Sequence, residues 1–199
     1  KFYSNNKIFK KNSMQQEQKN PIHSQHVIEM LTVANEFCHF TETVEDHGKK
    51  EIMEFLHKIL PMLYLKGILM PSVVVDDPSY NEKFVNEMQW EHIFYAFKNK
   101  FGEDDDFWMV ENTGLNEFEP QKQSLSDVLA DIYQDMKDFV MLYQNSSDYA
   151  KQNAVADFKN LFQNHWGERA IKASKRFHEL IYNPTRDPFA DEMKLGLEE

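Results

Sequence analysis

Along residues 124–143, SLSDVLADIYQDMKDFVMLY, apolar side chains return every three or four positions, at Leu125, Val128, Leu129, Ile132, Tyr133, Met136, Phe139, Val140 and Tyr143. At about 100° per residue these positions share one stripe, which predicts an amphipathic helix with one buried face. Ser124 followed three residues later by Asp127 fits a capping box, with the carboxylate at the positive end of the helix dipole. Asp127, Asp131 and Asp138, with Asp135 on the flank, form an acidic row at three- and four-residue steps. Being charged, the row is expected to face away from the core.

The same period predicts the neighbouring elements. A helix over residues 24–44 buries Val27, Met30, Leu31, Ala34, Phe37 and Cys38, and Gly48 breaks the pattern. A second, over residues 49–69, buries Ile52, Leu56, Ile59, Leu60 and Leu63, with Phe55 and Met62 beside them. Pro61 inside it removes the amide that would pair with the carbonyl of His57, so a kink is expected. Pro71, Val73 to Val75 and Asp76-Asp77-Pro78 read as a connector. Ser79 with Glu82 then gives a second capping-box candidate, heading a third helix that runs to about Lys100 and ends at Gly102.

Residues 103–123 show no sustained period. They form an acidic loop with Phe107, Trp108, Val110, Leu115 and Phe118 interleaved, and room for one short strand over residues 107–110. A loop of this length needs a reason, either as a lid or binding loop or as an apolar-anchored flap over one end of the bundle. Beyond the turn at Asn145-Ser146-Ser147, Ala154, Phe158, Leu161, Phe162 and His165 share a stripe that Ala170, Phe177 and Ile181 continue out of register. A kink or break is therefore expected near Gly167.

The fold class that follows is all-α. A single helical bundle of five or six helices spans residues 22–182, with a long irregular acidic loop, a flexible arm at 1–21 and an extended tail at 183–199. The arm is basic and Asn-rich, then Gln-rich, with no apolar period. Met14 is a candidate natural start, which would make residues 1–13 an upstream extension; the alternative is a basic tail that folds back on the acidic body or reaches a partner.

Composition narrows the class. A chain of 199 residues buries roughly 70% of its unfolded surface in one domain, so neither a disulfide nor a structural metal is needed. The lone Cys38 excludes an intramolecular disulfide framework and reads as a small buried thiol in a reducing compartment. A net charge of -11 disfavours nucleic acid and anionic membrane surfaces alike. No run approaches about 18 apolar residues and no apolar core opens the chain, so a cytoplasmic protein without membrane contact is expected.

Few residues suggest chemistry. Glu36 with His39 and Glu54 with His57 have the Glu-x-x-His spacing of di-metal helical bundles, but these side chains lie off the apolar stripes, where no bundle metal could be held. Asp104, Asp105 and Asp106 lack the alternation, the central glycine and the terminal glutamate of a calcium loop. His165-Trp166-Gly167 reads either as a pocket, the indole stacking on a ligand, or as a packing anchor. The acidic row keeps three readings: a solvated face, a partner for Arg169, Lys172, Lys175 and Arg176 within the molecule, or a docking surface for a basic partner or divalent cation. No phosphate-binding glycine loop, nucleophile elbow or His-Glu-x-x-His motif occurs.

Four segments, VIEMLTVANEFCHFTE, FLHKILPMLYLKGILMP, LADIYQDMKDFVMLYQ and FQNHWGERAIKASKRFHEL, resemble in order those of a bacterial family catalogued as domain of unknown function 5063. The resemblance covers roughly residues 22–182 and implies a cytosolic helical bacterial protein; it brings no catalytic residues. The expectation is a non-enzymatic interaction module without cofactor or metal, binding an unknown protein partner or a second copy of itself. Its surface would be formed by Asp127, Asp131, Asp135 and Asp138 or by aromatic residues at Trp108 and Trp166. The alternative is a small-molecule or metal-dependent enzyme with a site between the Pro61 kink and Trp166.

Overall fold

A computed structural model describes residues 20–112 and 118–183. The arm, the reading of Met14 and the tail beyond Asn183 lie outside the described residues. Within them the chain forms α1 (Gln25–Glu42), α2 (Lys49–Ile68), α3 (Glu87–Phe101), β1 (Asp106–Asn112), β2 (Phe118–Ser124), α4 (Leu125–Tyr143), α5 (Asp148–Leu161) and α6 (Gly167–Tyr182). Short 3-10 turns punctuate the connections. The architecture is the helical bundle that the periodicity predicts, with five helices if α5 and α6 are taken as one divided rod.

α4 is the central helix. It packs against α1, α3, α5 and α6, and fourteen of its nineteen residues are buried. A helix enclosed on four sides has no broad polar face to give to solvent. The expectation that the acidic row points away from the core is therefore corrected: Asp135 and Asp138 are buried, Asp131 is half-buried, and Asp127 alone of the four is exposed. The apolar stripe is nonetheless the one predicted, with Leu129, Ile132 and Met136 fully enclosed. Ser124 caps the helix as expected, its hydroxyl accepting the Asp127 amide at 3.3 Å.

α3 begins later than the Ser79 signal suggests. Ser79 is spent locally, its amide and hydroxyl both donating to Asp77 Oδ1, at 3.0 and 2.7 Å, within a short 3-10 turn over Pro78–Tyr80. The capping box that starts the helix is Asn86 with Gln89, each side chain accepting the other's backbone amide at 3.0 Å.

The segment read as an irregular loop is an antiparallel hairpin that pairs Phe107 with Gln123, Trp108 with Lys122 and Val110 with Pro120. The strand expected over residues 107–110 is part of β1. Phe107 is buried and Met109 half-buried, whereas Trp108 and Val110 are exposed. Both faces carry apolar residues, so the polar–apolar alternation that reveals a strand is missing.

The break expected near Gly167 is a change of winding. Phe162–Trp166 form a π turn that joins α5 to α6 without interruption. The wider turn inserts residues into the helical phase, which is why the apolar stripes on either side of Gly167 fall out of simple register. Pro61 lies inside an unbroken α2 with its ring exposed.

Candidate functional site

Where α4, α6 and the π turn meet, the acidic row finds its partners. Asp131 Oδ2 accepts Arg169 Nε at 2.8 Å, and its other oxygen accepts the indole N–H of Trp90 at 3.0 Å. One turn along, Asp135 Oδ2 lies 2.6 Å from His165 Nδ1, while His165 Nε2 is 3.8 Å from Asp131 Oδ2. The imidazole thus stands between two carboxylates one helical turn apart, presented by the π turn. Of the readings open for the row, pairing within the molecule accounts for Asp131 through Arg169. Lys175 instead faces Glu179 at 3.9 Å, and Arg176 reaches the backbone carbonyl of Asp104 at 3.5 Å.

This geometry fixes what the imidazole can do. The hydrogen bond with Asp135 raises the His165 pKa above the ordinary imidazole range, against the opposing effect of burial. Burial likewise raises the Asp135 carboxyl, and the hydrogen bond with His165 does not cancel it. Nδ1 of the ring is engaged by Asp135, and Nε2 faces Asp131, whose Oδ2 is already held by Arg169. The arrangement is an ionic clamp between helices.

Further along α4, Asp138 Oδ1 accepts the backbone amides of Phe84 and Val85, at 2.7 and 3.0 Å, fastening the connector that precedes α3. Its buried Oδ2 has no hydrogen bond and lies 3.7 Å from Lys83 Nζ, which pairs with Asp157 at 2.8 Å. Burial disfavours the Lys83 ammonium, yet the Asp157 hydrogen bond and the surrounding carboxylates raise its pKa overall. The cavity between these groups measures about 10 Å³, room for one water molecule and too small for a substrate.

The two tryptophans expected at an interaction surface, Trp108 and Trp166, differ in exposure. Trp108 is exposed on the outer side of β1, but Trp166 is fully enclosed, its ring centre 5.0 Å from that of Phe158 and 4.9 Å from that of Phe162. It is the packing anchor among the two readings of His165-Trp166-Gly167. Beside it, α2 approaches the π turn so closely that a Cβ on Gly67 would fall 2.6 Å from ring atoms of Phe162 and Trp166. At Gly67 the contact between α2 and the π turn leaves no room even for a methyl group. What remains is a groove of about 360 Å³ lined by Tyr64, Phe162, Gln163, Gly167, Glu168 and Ile171, whose single carboxylate, Glu168, already faces Lys172 at 3.1 Å.

The Glu-x-x-His motifs stay apart. Glu36, His39 and Glu54 are exposed, and His57 turns toward His178 and Tyr182 of α6. Among the described residues no three His, Cys, Asp or Glu side chains are arranged to hold a metal ion, and no helix is long and apolar enough to cross a membrane.

Met62, expected beside the buried stripe of α2, is instead exposed, and it belongs to a row that periodicity did not show. Within α2, Met62, Leu65 and Ile68, with the capping residue Leu69, expose 47%, 55%, 54% and 39% of their surface. They lie on the side opposite the buried Leu56, Leu60 and Leu63. The segment ILPMLYLKGILM is apolar on nearly every face, so periodicity alone did not show which side was left uncovered.

The family model described as domain of unknown function 5063 matches residues 21–183. The chain belongs to that family. The matched span coincides with the helical bundle, and the family's description assigns no activity. A solved relative in the same fold is protein BF1032 from Bacteroides fragilis, whose crystal structure superposes with a TM-score of 0.74 at 30% identity, covering 83% of this chain and 99% of that one. No curated protein matches the chain.

Proposed function

We propose that this member of the family is a protein-interaction module of the bacterial cytosol whose contact surface is the outward face of α2, with the adjoining α2–α6 groove. The observation that carries the reading is the exposed row Met62, Leu65, Ile68 and Leu69. Single exposed leucines are ordinary, but four half-exposed apolar residues on two consecutive turns form one continuous patch of the kind that marks contact sites. The acidic row contributes less than its sequence suggests, because Asp135 and Asp138 are buried and Asp131 is engaged. The bacterial setting is supported by the Bacteroides relative, and the reducing compartment by a free, buried Cys38.

The test is a photo-cross-linking amino acid placed at position 65 in living cells, with the exposed Glu91 of α3 as the control position. A discrete adduct at 65 and none at 91 is the expected result. Absence of any adduct at 65, or equal labelling at both sites, overturns the proposal.

A further inference from the structure

We propose that His57 of α2 and His178 of α6 form a binding site for one divalent transition ion of the zinc, nickel and copper class. Its existence does not depend on what covers the α2 face. α2 meets the rod of α5 and α6 at two levels, with Gly67 against Phe162 and Trp166 at one and His57 against His178 and Tyr182 at the other. The first level is apolar packing. The second brings together two imidazoles, because His178 and Tyr182 stand one turn apart on α6 and share the side that faces His57.

The separation of the rings distinguishes what can join them. The centres of His57 and His178 are 5.9 Å apart, with the ring planes at 45°. A direct N–H···N hydrogen bond of about 2.9 Å would hold the two centres no more than about 5.2 Å apart. An ion about 2.0–2.1 Å from one nitrogen of each ring sets them about 5.2 Å apart at a tetrahedral angle and about 6.4 Å apart in line. The observed distance exceeds the first limit and falls within the second range.

Partners point the same way. His23 is engaged by Tyr143, His47 by Thr43 and Glu51, and His165 by Asp135. Among the described residues neither His57 nor His178 makes a hydrogen bond or an ion pair, and Nδ1 of His57 is buried without a partner. Buried polar atoms are nearly always satisfied, and an exception calls for a ligand or an ion.

The donor set selects the class of ion. Imidazole nitrogens suit zinc, nickel and copper, whereas magnesium and calcium take oxygen ligands. No third His, Cys, Asp or Glu of the described residues completes a cluster, so water fills the remaining positions, as in an open site. His178 is exposed and gives the ion a way in from solvent. The chain's net charge of -11 favours a cation. This is a mononuclear site at a helix edge, unlike the di-metal core that the Glu-x-x-His spacing suggests.

Isothermal titration calorimetry of the full chain, untagged and first stripped with a chelator, against Zn²⁺, Ni²⁺ and Cu²⁺ alone tests the assignment. One ion per chain should bind, half-saturating below about 100 μM metal, with Cu²⁺ the tightest of the three, and Mg²⁺ should give no binding heat. His57→Gln and His178→Gln should each weaken binding by at least about tenfold with the far-ultraviolet circular dichroism spectrum unchanged. His26→Gln, at an exposed histidine of α1, should bind as the wild type does. Electron paramagnetic resonance of the Cu²⁺ form should show two nitrogen donors in the wild type and one in His178→Gln. No binding up to that limit, weakening of less than tenfold in either histidine variant, or loss of binding in the His26 control overturns the site. Should His57→Gln fail to fold, the exposed His178 variant and its one-nitrogen spectrum decide alone.

Discussion

Arg169 Nε lies 2.8 Å from Asp131 Oδ2, and the indole of Trp90 donates to the same carboxylate at 3.0 Å, so one half-buried aspartate ties α3 and α6 to the central helix. Asp131→Ala should leave an indole N–H and a guanidinium without their acceptor, at a cost of about 1.5–3 kcal/mol. For a chain of this size that corresponds to a fall of roughly 3–12 °C in Tm. Asp127→Asn, one turn earlier and exposed, should stay within about 0.5 kcal/mol. Burial and then the neighbouring charge of Asp131 raise the Asp127 carboxyl, so removing its charge relieves repulsion. Urea denaturation of the two variants decides the matter, and equal effects would mean that Asp131 behaves as an ordinary surface residue.

The clamp of His165 between Asp135 and Asp131 gives stability a definite slope with pH. The folded-state pKa of His165 is raised, chiefly by the Asp135 hydrogen bond, so its contribution is fully present below the unfolded value of about 6.5 and is lost as pH rises through the folded value. Asp135, raised by burial, acts in the same sense at lower pH, since the folded state again holds more protons than the unfolded one. Thermal melts should therefore show Tm falling as pH climbs from about 6 toward 9, and His165→Gln should flatten that slope. A wild-type slope retained in the variant would assign the effect to other groups.

How much of this was legible beforehand differs element by element. The stripe of α4 and the Ser124 cap could be read because apolar and polar residues alternate with one period and the cap is local in sequence. The fate of Asp135 and Asp138 could not be read, because their burial depends on which helices pack around α4, and a buried carboxylate resembles a solvated one until its donors, His165 and the Phe84 and Val85 amides, are in place. The hairpin hid for the opposite reason, carrying apolar residues on both faces. The exposed row on α2 hid within an apolar run, where contrast between faces is absent. Asp105 gave no warning at all: between two acidic neighbours it looks like solvent-facing charge.

Asp105 is in fact fully buried at the head of α4. It accepts Lys98 Nζ, Ser124 Oγ and the Ser126 amide, each at 2.7 Å, and the Ser126 hydroxyl as well. Burial opposes its ionisation, yet these hydrogen bonds, led by that of Lys98, lower its pKa below the usual range. A lowered carboxylate contributes stability above about pH 3.9 that is lost as pH falls through the folded value, so this anchor fails on the acid limb. Asp105→Ala should cost on the order of 3 kcal/mol by stranding buried donors and an ammonium. Asp104→Ala, which loses only a partly exposed contact with Lys49 at 2.6 Å, should cost less than about 1 kcal/mol. Denaturation at neutral pH compares the two, and similar losses would remove the special role given to Asp105.

Gly67 of α2 and Gly167 at the start of α6 both lie against Phe162 of the π turn, and they should fail in different ways when a methyl group is added. At Gly67 the new Cβ would meet ring atoms of Phe162 and Trp166 at 2.6 Å. Aromatic rings can shift by repacking, so Gly67→Ala should cost about 1–3 kcal/mol, the usual range for overpacking. At Gly167 the nearest atom is the backbone carbonyl oxygen of Phe162, 2.3 Å away, with the Phe162 ring close behind. A carbonyl cannot move without changing the winding of the turn itself. Gly167→Ala should therefore be the more damaging substitution, despite the helix propensity that favours alanine by about 1 kcal/mol. Because the turn also presents His165 to Asp135 and Asp131, the Gly167 variant should flatten the pH dependence of Tm, while the Gly67 variant lowers Tm by a similar amount at every pH. Melts of both variants across the neutral range separate these outcomes. A Gly167→Ala protein as stable as the wild type, or one that keeps the full slope, would show that the π turn tolerates the methyl and does not fix the position of His165.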